Sequence, residues 1–351
     1  MKRFIAIMLT AGLFAGNAIG YGGRGHRLVG AIADRRLAVD SKIIQKKIAV
    51  LLDGLTLEEV ATLADGIKDW DPKKEDPNNP RAPREPFHVK GHPKIEAQLR
   101  AFVNANPGPD APFHREFHYT DVPVAGSERY ADGQIGRAPY DVVQMIPFCI
   151  RVLKGQIPED NKRAITKAVA IILLAHFVGD LHQPLHVGAA FFDAKGNPIE
   201  PTRTRPGFGS QGGNKLTFFV LDQGRPFTTG NLHSYWDGQT VTNAFGDTPD
   251  GQLADDMAKN EPANWKPTSG IENWGEELAN EMMPIAREAH ERLEFKNIKT
   301  DPGTSDILSG DAVERTPSSG PSYAKWSGQI VKQEIHKAGW RLAALLEAVL
   351  Q

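Results

Sequence analysis

A mainly α-helical single domain, with long loops and one candidate short β-hairpin, is the fold class the sequence predicts. Three observations predict it. Five segments carry apolar residues at helical spacing, only 215–221 reads as a strand, and no internal repeat divides the chain. A length of 351 residues permits two domains, but one large domain is equally allowed.

The first twenty residues stand outside that domain. Lys2 and Arg3 form a basic start, 4–15 is largely apolar, and Ala18 and Gly20 are small residues placed for a cut after Gly20. The pattern predicts a secretory signal peptide over 1–20, its apolar part too short to span a membrane; a buried N-terminal helix is the alternative. Cleavage leaves 331 residues from Tyr21, and loss of Lys2 and Arg3 turns 41 basic residues into 39 against 43 acidic, net −4. The protein is therefore expected to be exported, periplasmic or secreted. The longest clean apolar run after residue 20, 168–175, is far below membrane-helix length, so no stable membrane association is expected.

A helix is predicted over 27–37 from Leu28, Val29, Ile32, Ala33 and Leu37. A second, over 56–70, opens with Thr56 and Glu59 as a capping box. The strongest spans 161–181; it is apolar nearly all round from Ile165 to Leu174, which places it at the domain centre, and Pro184 stops it. Further helices are predicted over 274–295 and 323–350. The strand candidate is 215–221. Three stretches rich in Pro, Gly and polar residues, 71–86, 194–211 and 299–322, are predicted as loops, none long enough to force a domain boundary.

Composition sets limits on function. The chain is 40% hydrophobic and 24% charged, which excludes a disordered or fibrous protein. A net charge of −2 argues against binding nucleic acid through a general basic coat, but not against positive charge supplied as bound metal. Cys149 is the only cysteine, so no intramolecular disulfide forms; its apolar surroundings mark it as a packing residue.

Chemistry concentrates at the end of the 161–181 helix, in His176-Phe-Val-Gly-Asp180-Leu-His182-Gln-Pro-Leu-His186. His176 and Asp180 are four apart and share a helix face, a spacing that lets imidazole and carboxylate grip one ion. Such groups on a buried helix are costly unless paired or metal-bound. A helix C-terminus decorated with histidines for dipole reasons would account for one His; three His and an Asp in eleven residues point to metal. His233 and Asp237 repeat the four-residue spacing, a pattern that surface ion pairs also produce. Asp65, at a helix end, the segment His118-Tyr119-Thr120-Asp121, and His26 in Tyr21-Gly-Gly-Arg-Gly-His26 complete the candidates.

Together these pieces resemble the S1/P1 nuclease family, zinc-dependent single-strand nucleases related to bacterial zinc phospholipase C. The Gly-His start, Ala-Asp, His-Tyr-x-Asp, His-x-x-x-Asp-x-His-Gln-Pro-Leu-His, Gly-Gly-Asn and Asn-Leu-His-x-x-Trp-Asp segments occur in that order, with a similar closing helix around 338–343. The resemblance covers essentially all of 21–351 and implies one helical catalytic domain of the phospholipase C/P1 nuclease type. It also implies about three zinc ions. Asp65, His118, His176 and Asp180 would hold one and His186, His233 and Asp237 a second. His26, Asp180 and the amine and carbonyl of Tyr21 would hold a third. Asp180 would bridge two ions, and His182 would pack or support rather than bind. Nitrogen and carboxylate ligands suit zinc.

The implied reaction is hydrolysis of single-stranded DNA or RNA at the P–O3′ bond, leaving 5′-phosphates, with 3′-nucleotidase activity on small substrates. Zinc lowers the pKa of bound water to about 7 and neutralises phosphate charge. Asp65 would hold both metal and attacking water, and the ion at Tyr21 would stabilise the leaving oxygen. Lys68, one turn after Asp65, is placed to reach a phosphate. Gly212 and Gly213 offer close backbone approach, and Asn214 an amide. Tyr119 could stack on a base and Asp121 accept from its edge, which favours single strands because a duplex hides base faces. No obligate protein partner is evident.

Tyr21 replaces the Trp usual at the mature N-terminus. Residues 71–111 look like an inserted loop with extra His88, His92 and His114. The long 186–233 interval carries Arg203 and Arg205, and both insertions are expected to bear on substrate range. A phospholipase C on the same scaffold and a non-catalytic exported zinc-binding protein are the competing readings.

Overall fold

The computed structural model describes residues 21–68, 70, 87–108, 112–126, 128–222, 225–316 and 320–351. The expected signal peptide at 1–20 and loop at 71–86 lie outside the described residues. The observed fold is mainly α, with small sheets.

Helix α1 (Gly22–Asp40) begins five residues before the expected 27–37 span, because its first turn is built from Gly22, Gly23 and Gly25, which carry no apolar signal. α2 (Lys42–Leu51) follows, unforeseen from the pattern. The expected helix at 56–70 is two short ones, α3 (Leu57–Val60) and α4 (Leu63–Gly66), divided by a turn at Ala61 and Thr62. The capping box is formed: Glu59 N donates to Thr56 Oγ1 at 3.2 Å and Thr56 N to Glu59 Oε2 at 2.8 Å. α5 (Pro93–Ala105) lies inside the stretch expected to be an inserted loop, and α6 (Val142–Leu153) runs through Pro147. α7 (Lys167–Asp180) starts later than 161 because Ala164 is left-handed (φ 51°) and Thr166 is the N-cap, its hydroxyl accepting from Val169 N.

Beyond α7, a 3₁₀ turn spans Pro184–His186. A continuous helical stretch then runs through α8 (Leu232–Ser234), a π turn (Tyr235–Gln239) and α9 (Thr240–Phe245). α10 (Asp250–Lys259), α11 (Trp274–Glu291) and α12 (Tyr323–Val349) complete the helices. α11 stops four residues short of the expected 295.

The short strands β1 (Val122–Pro123) and β2 (Gly188–Ala189) pair in parallel, and β3 (Phe191–Phe192) sits between β4 (Pro198–Ile199) and β5 (Phe208–Gly209). The larger sheet has the order β7-β6-β9-β8. β6 (Leu216–Asp222) and β7 (Arg225–Asn231) form the expected hairpin. β8 (Leu293–Thr300) occupies residues expected to end a helix, and β9 (Ile307–Glu314) crosses the expected loop at 299–322. Both corrections have one cause: each strand is completed by a partner that the local pattern does not show, β9 lying between β8 and β6.

α7 is the centre of the molecule. Every residue from Ala168 to Asp180 is buried, and α1, α2, α3, α4, α5, α6 and α12 all pack on it. A helix ringed by helices needs apolar residues on all sides, which is why this one reads as a continuous run. Cys149 is fully buried on α6, as expected of a packing residue, and burial pushes its thiol up. Among the described residues no helix is long and apolar enough to cross a membrane.

Candidate metal centre

The central helix ends where the polar cluster begins, so the fold delivers His176 and Asp180 into the interior together. Both side chains are fully buried, and His176 Nε2 lies 3.3 Å from Asp180 Oδ2. The turn after α7 carries His186 back to the same point. α1 brings His26 across α7, its ring stacked on His176 at 3.7 Å between centroids. α4 brings Asp65 and the 3₁₀ turn His114–His118 brings His118. The π turn, a device common at functional sites, presents Asp237 toward His233.

Three groups of side chains have ligand atoms within 4.8 Å of one another: Asp65, His118 and His176; His186, His233 and Asp237; and His26, His176 and Asp180. Asp180 faces two ways. Its Oδ2 lies 3.2 Å from His118 Nδ1 and 3.3 Å from His176 Nε2, while Oδ1 lies 3.4 Å from His26 Nε2. In the remaining group, His233 Nε2 is 3.4 Å from Asp237 Oδ2 and His186 Nε2 is 3.8 Å from Asp237 Oδ1.

The backbone orients the rings. His176 Nδ1 meets the Ala61 carbonyl at 2.7 Å, His186 Nδ1 the His118 carbonyl at 2.8 Å, and His233 Nδ1 the Gly212 carbonyl at 2.9 Å. An Nδ1–H donated to a carbonyl leaves the Nε2 lone pair for a metal. His182 differs: Nδ1 meets Val178 O, and Nε2 is engaged by Arg341 at 2.8 Å. Both ring nitrogens are used, so His182 packs and supports, as the sequence suggested.

This donor set fits divalent cations. His176 Nε2, His186 Nε2, Asp180 Oδ1 and Asp237 Oδ2 are buried and make no hydrogen bond. Burial pushes the His176 imidazole down to about 3 and His233 to about 4, so both are neutral and ready to ligate. Burial also raises Asp180, and Asp237 to about 7. Carboxylates that resist ionising there need positive charge beside them, which bound cations supply.

Tyr21 is fully buried; its hydroxyl donates to the His182 carbonyl, and Gly25 N donates to its carbonyl at 3.1 Å. Its ring centroid is 6.5 Å from that of His26. Lys68 Nζ is 3.9 Å from Asp65 Oδ1, at the rim of the cluster. Tyr119 and Asp121 are half-buried, one and three residues after His118. Burial and then the charge of Asp306 push the Asp121 carboxyl up to about 7. Gly212 itself is left-handed (φ 54°), and a Cβ there would lie 2.2 Å from the Leu185 carbonyl, so only glycine fits this strap across the metal site. Gly213 backs onto Leu232, and the Asn214 amide donates to Gln211 O at 3.1 Å. Of the extra histidines, His88 meets Glu96, His92 meets Asp53, and His114 is buried against Phe102 and Phe113.

Sequence reasoning missed Gln183. Its Nε2 donates to Asp237 Oδ1 at 2.8 Å while its Oε1 accepts from Leu185 N, tying one carboxylate to the turn that carries His186. The motif contained the residue, but nothing in the spacing showed which way its amide points. Gly179 was also passed over. A Cβ there would lie 2.8 Å from His26 Nδ1, so Gly179→Ala should displace His26 and lower metal content by about one ion per chain, measured by elemental analysis.

The sequence model of the family described as S1/P1 Nuclease matches residues 21–351. Among characterised proteins, Endonuclease 2 of Arabidopsis thaliana is 24% identical over 241 residues, covering 66% of this chain and 70% of that protein.

Proposed function

The chain belongs to the S1/P1 nuclease family and is a hydrolytic nuclease. From that premise we propose that it is an exported, zinc-dependent endonuclease of single-stranded DNA and RNA, producing 5′-phosphates and acting also as a 3′-nucleotidase. The observation that carries the metal reading is Asp180, whose two oxygens address different histidines in one buried cluster.

In this reading Asp65, His118, His176 and Asp180 hold one ion, and His186, His233 and Asp237 a second. His26, Asp180 and the Tyr21 backbone hold a third. Zinc there would lower the pKa of bound water to about 7 and offset phosphate charge. Asp65, the least buried carboxylate among the proposed ligands, orients the attacking water. Lys68 contacts a non-bridging phosphate oxygen. Tyr119 stacks on the base and Asp121 meets its polar edge, so the P–O3′ bond is presented in line. The Gly212–Gly213 strap lets the backbone approach the nucleotide without a side chain between.

Purified mature protein should cleave single-stranded DNA, RNA and a 3′-mononucleotide, lose all three activities with a chelator, and leave phosphatidylcholine intact. Hydrolysis of phosphatidylcholine alone would favour the lipase reading. Tyr119→Ala should raise KM for dinucleotides about tenfold with a smaller change in kcat, because stacking acts mainly as uniform binding. A loss confined to kcat would mean that Tyr119 only packs.

A further inference from the structure

A groove of about 960 Å³ lies between the 193–208 loop and the turn at 302–305, its wall ending at Phe208, four residues before Gly212. Phe208, Pro206 and Pro302 give it flat apolar walls, and Lys195, Arg205 and Thr204 line it as polar groups. We propose that this groove is a nucleotide subsite for the part of a single strand that extends beyond the metal centre. Phe208 is the base platform, and Lys195 and Arg205 are the phosphate contacts. The inference rests on the nuclease reading and adds to it where a longer substrate runs.

Two observations support it. The first is continuity. Phe208 is fixed by strand pairing with Phe192, Gly209 N donates to Ser305 O at 3.0 Å, and Gln211 Nε2 donates to Asp306 Oδ2 at 2.8 Å. The next residue, Gly212, holds His233 by its carbonyl. One strap thus forms a groove wall at one end and seats a proposed metal ligand, His233, at the other. Four residue steps span at most about 14 Å, so groove and centre are within reach of one short oligonucleotide.

The second is charge. Lys195 and Arg205 are exposed and form no ion pair among the described residues. Asp193, the acidic residue lining the groove, turns its carboxylate into its own loop, accepting from Lys195 N at 2.8 Å and Asn197 N at 2.9 Å. The groove therefore offers two exposed cations, Lys195 also acting on the Asp193 carboxylate, beside a half-buried aromatic ring, on a chain whose net charge is −2. Cations that track a backbone next to an aromatic that stacks a base is how single strands are held without sequence preference.

The test compares zinc-loaded mature protein with Phe208→Ala and with the double variant Lys195→Ala/Arg205→Ala on a 3′-mononucleotide and a ten-nucleotide single strand. The mononucleotide does not reach the groove and is the internal control. For the ten-mer, Phe208→Ala should raise KM about tenfold with kcat nearly kept. The double variant should flatten the dependence of log KM on log salt by roughly one. Unchanged ten-mer KM and salt slope in both variants would overturn the inference. If Phe208→Ala also loses mononucleotide turnover it has damaged the fold, and the double variant, which removes only exposed side chains, decides. Wild-type protein that cleaves neither substrate would defeat the nuclease reading instead; ten-mer binding, followed by fluorescence anisotropy in all three proteins, would still report on the groove.

Discussion

Asp180→Asn is expected to abolish hydrolysis and to cost the protein bound metal. The substitution keeps the shape of the side chain and removes its charge. In the folded protein Asp180 is fully buried, with Oδ2 close to His118 and His176 and Oδ1 close to His26. An amide offers one acceptor oxygen where the carboxylate offers two, and its NH₂ would face a ring nitrogen that has to ligate. Two of the three proposed ions therefore lose a donor and the negative charge between them. Removing a residue that merely orients a ligand typically costs 10- to 100-fold in affinity or activity; losing a shared ligand should exceed about 100-fold. The measurement is zinc content per chain together with the rate on single-stranded DNA. Wild-type rates with full zinc would show that the bridge is misassigned. His182→Gln is the contrasting variant: because both nitrogens of His182 are occupied by Val178 O and Arg341, it should lower thermal stability more than zinc content.

What the sequence showed and what it hid follow from the range of the interactions involved. The 161–181 helix was legible because its burial on all sides is written in consecutive residues, and His176 and Asp180 because helix geometry converts a spacing of four into a shared face. The ligand-bearing histidines were nameable one by one. Their orientation was not: the carbonyls of Ala61, His118 and Gly212 that set it come from distant elements. Gln183 was hidden for the same reason. β8 and β9 were read as helix end and loop because a strand's hydrogen bonds are made with another segment: the two pair with each other, and β9 pairs further with β6, far earlier in the chain. α6 escaped because Pro147, which lies inside it, reads as a helix breaker in the sequence. Arg205 stood out in the long 186–233 interval, but a net charge near zero does not show that it shares a surface with Lys195 and Phe208.

The second large effect concerns Tyr21. Protein produced with a Met retained before Tyr21 is expected to bind about one zinc fewer than the processed form and to lose most activity. A free α-amine, with a pKa near 8, can shed a proton and offer a lone pair to metal, whereas an amide nitrogen cannot. Export and cleavage after Gly20 would then create a ligand, so processing and activation would be one event. Among the described residues, the hydrogen bonds of Tyr21 run through its side chain and its carbonyl, not its nitrogen. Its hydroxyl donates to His182 O and its carbonyl accepts from Gly25 N. Gly22 is left-handed (φ 49°) and packed so closely that a Cβ would lie 2.9 Å from the Asp237 carbonyl. An extension changes the nitrogen at residue 21 from an amine to an amide, and the partners of its hydroxyl and carbonyl are present in both forms. His26 and Asp180 persist in either form, so the other two ions should be kept. Tyr21→Phe in the processed protein separates the two roles of the residue: it deletes the hydroxyl bond but keeps the amine, and should retain full zinc. Elemental analysis and single-stranded DNA cleavage decide, with mass spectrometry confirming the added Met. Equal zinc and equal rates in the two forms would show that Tyr21 is a packing residue only, and that His26 and Asp180 must find their remaining ligand elsewhere.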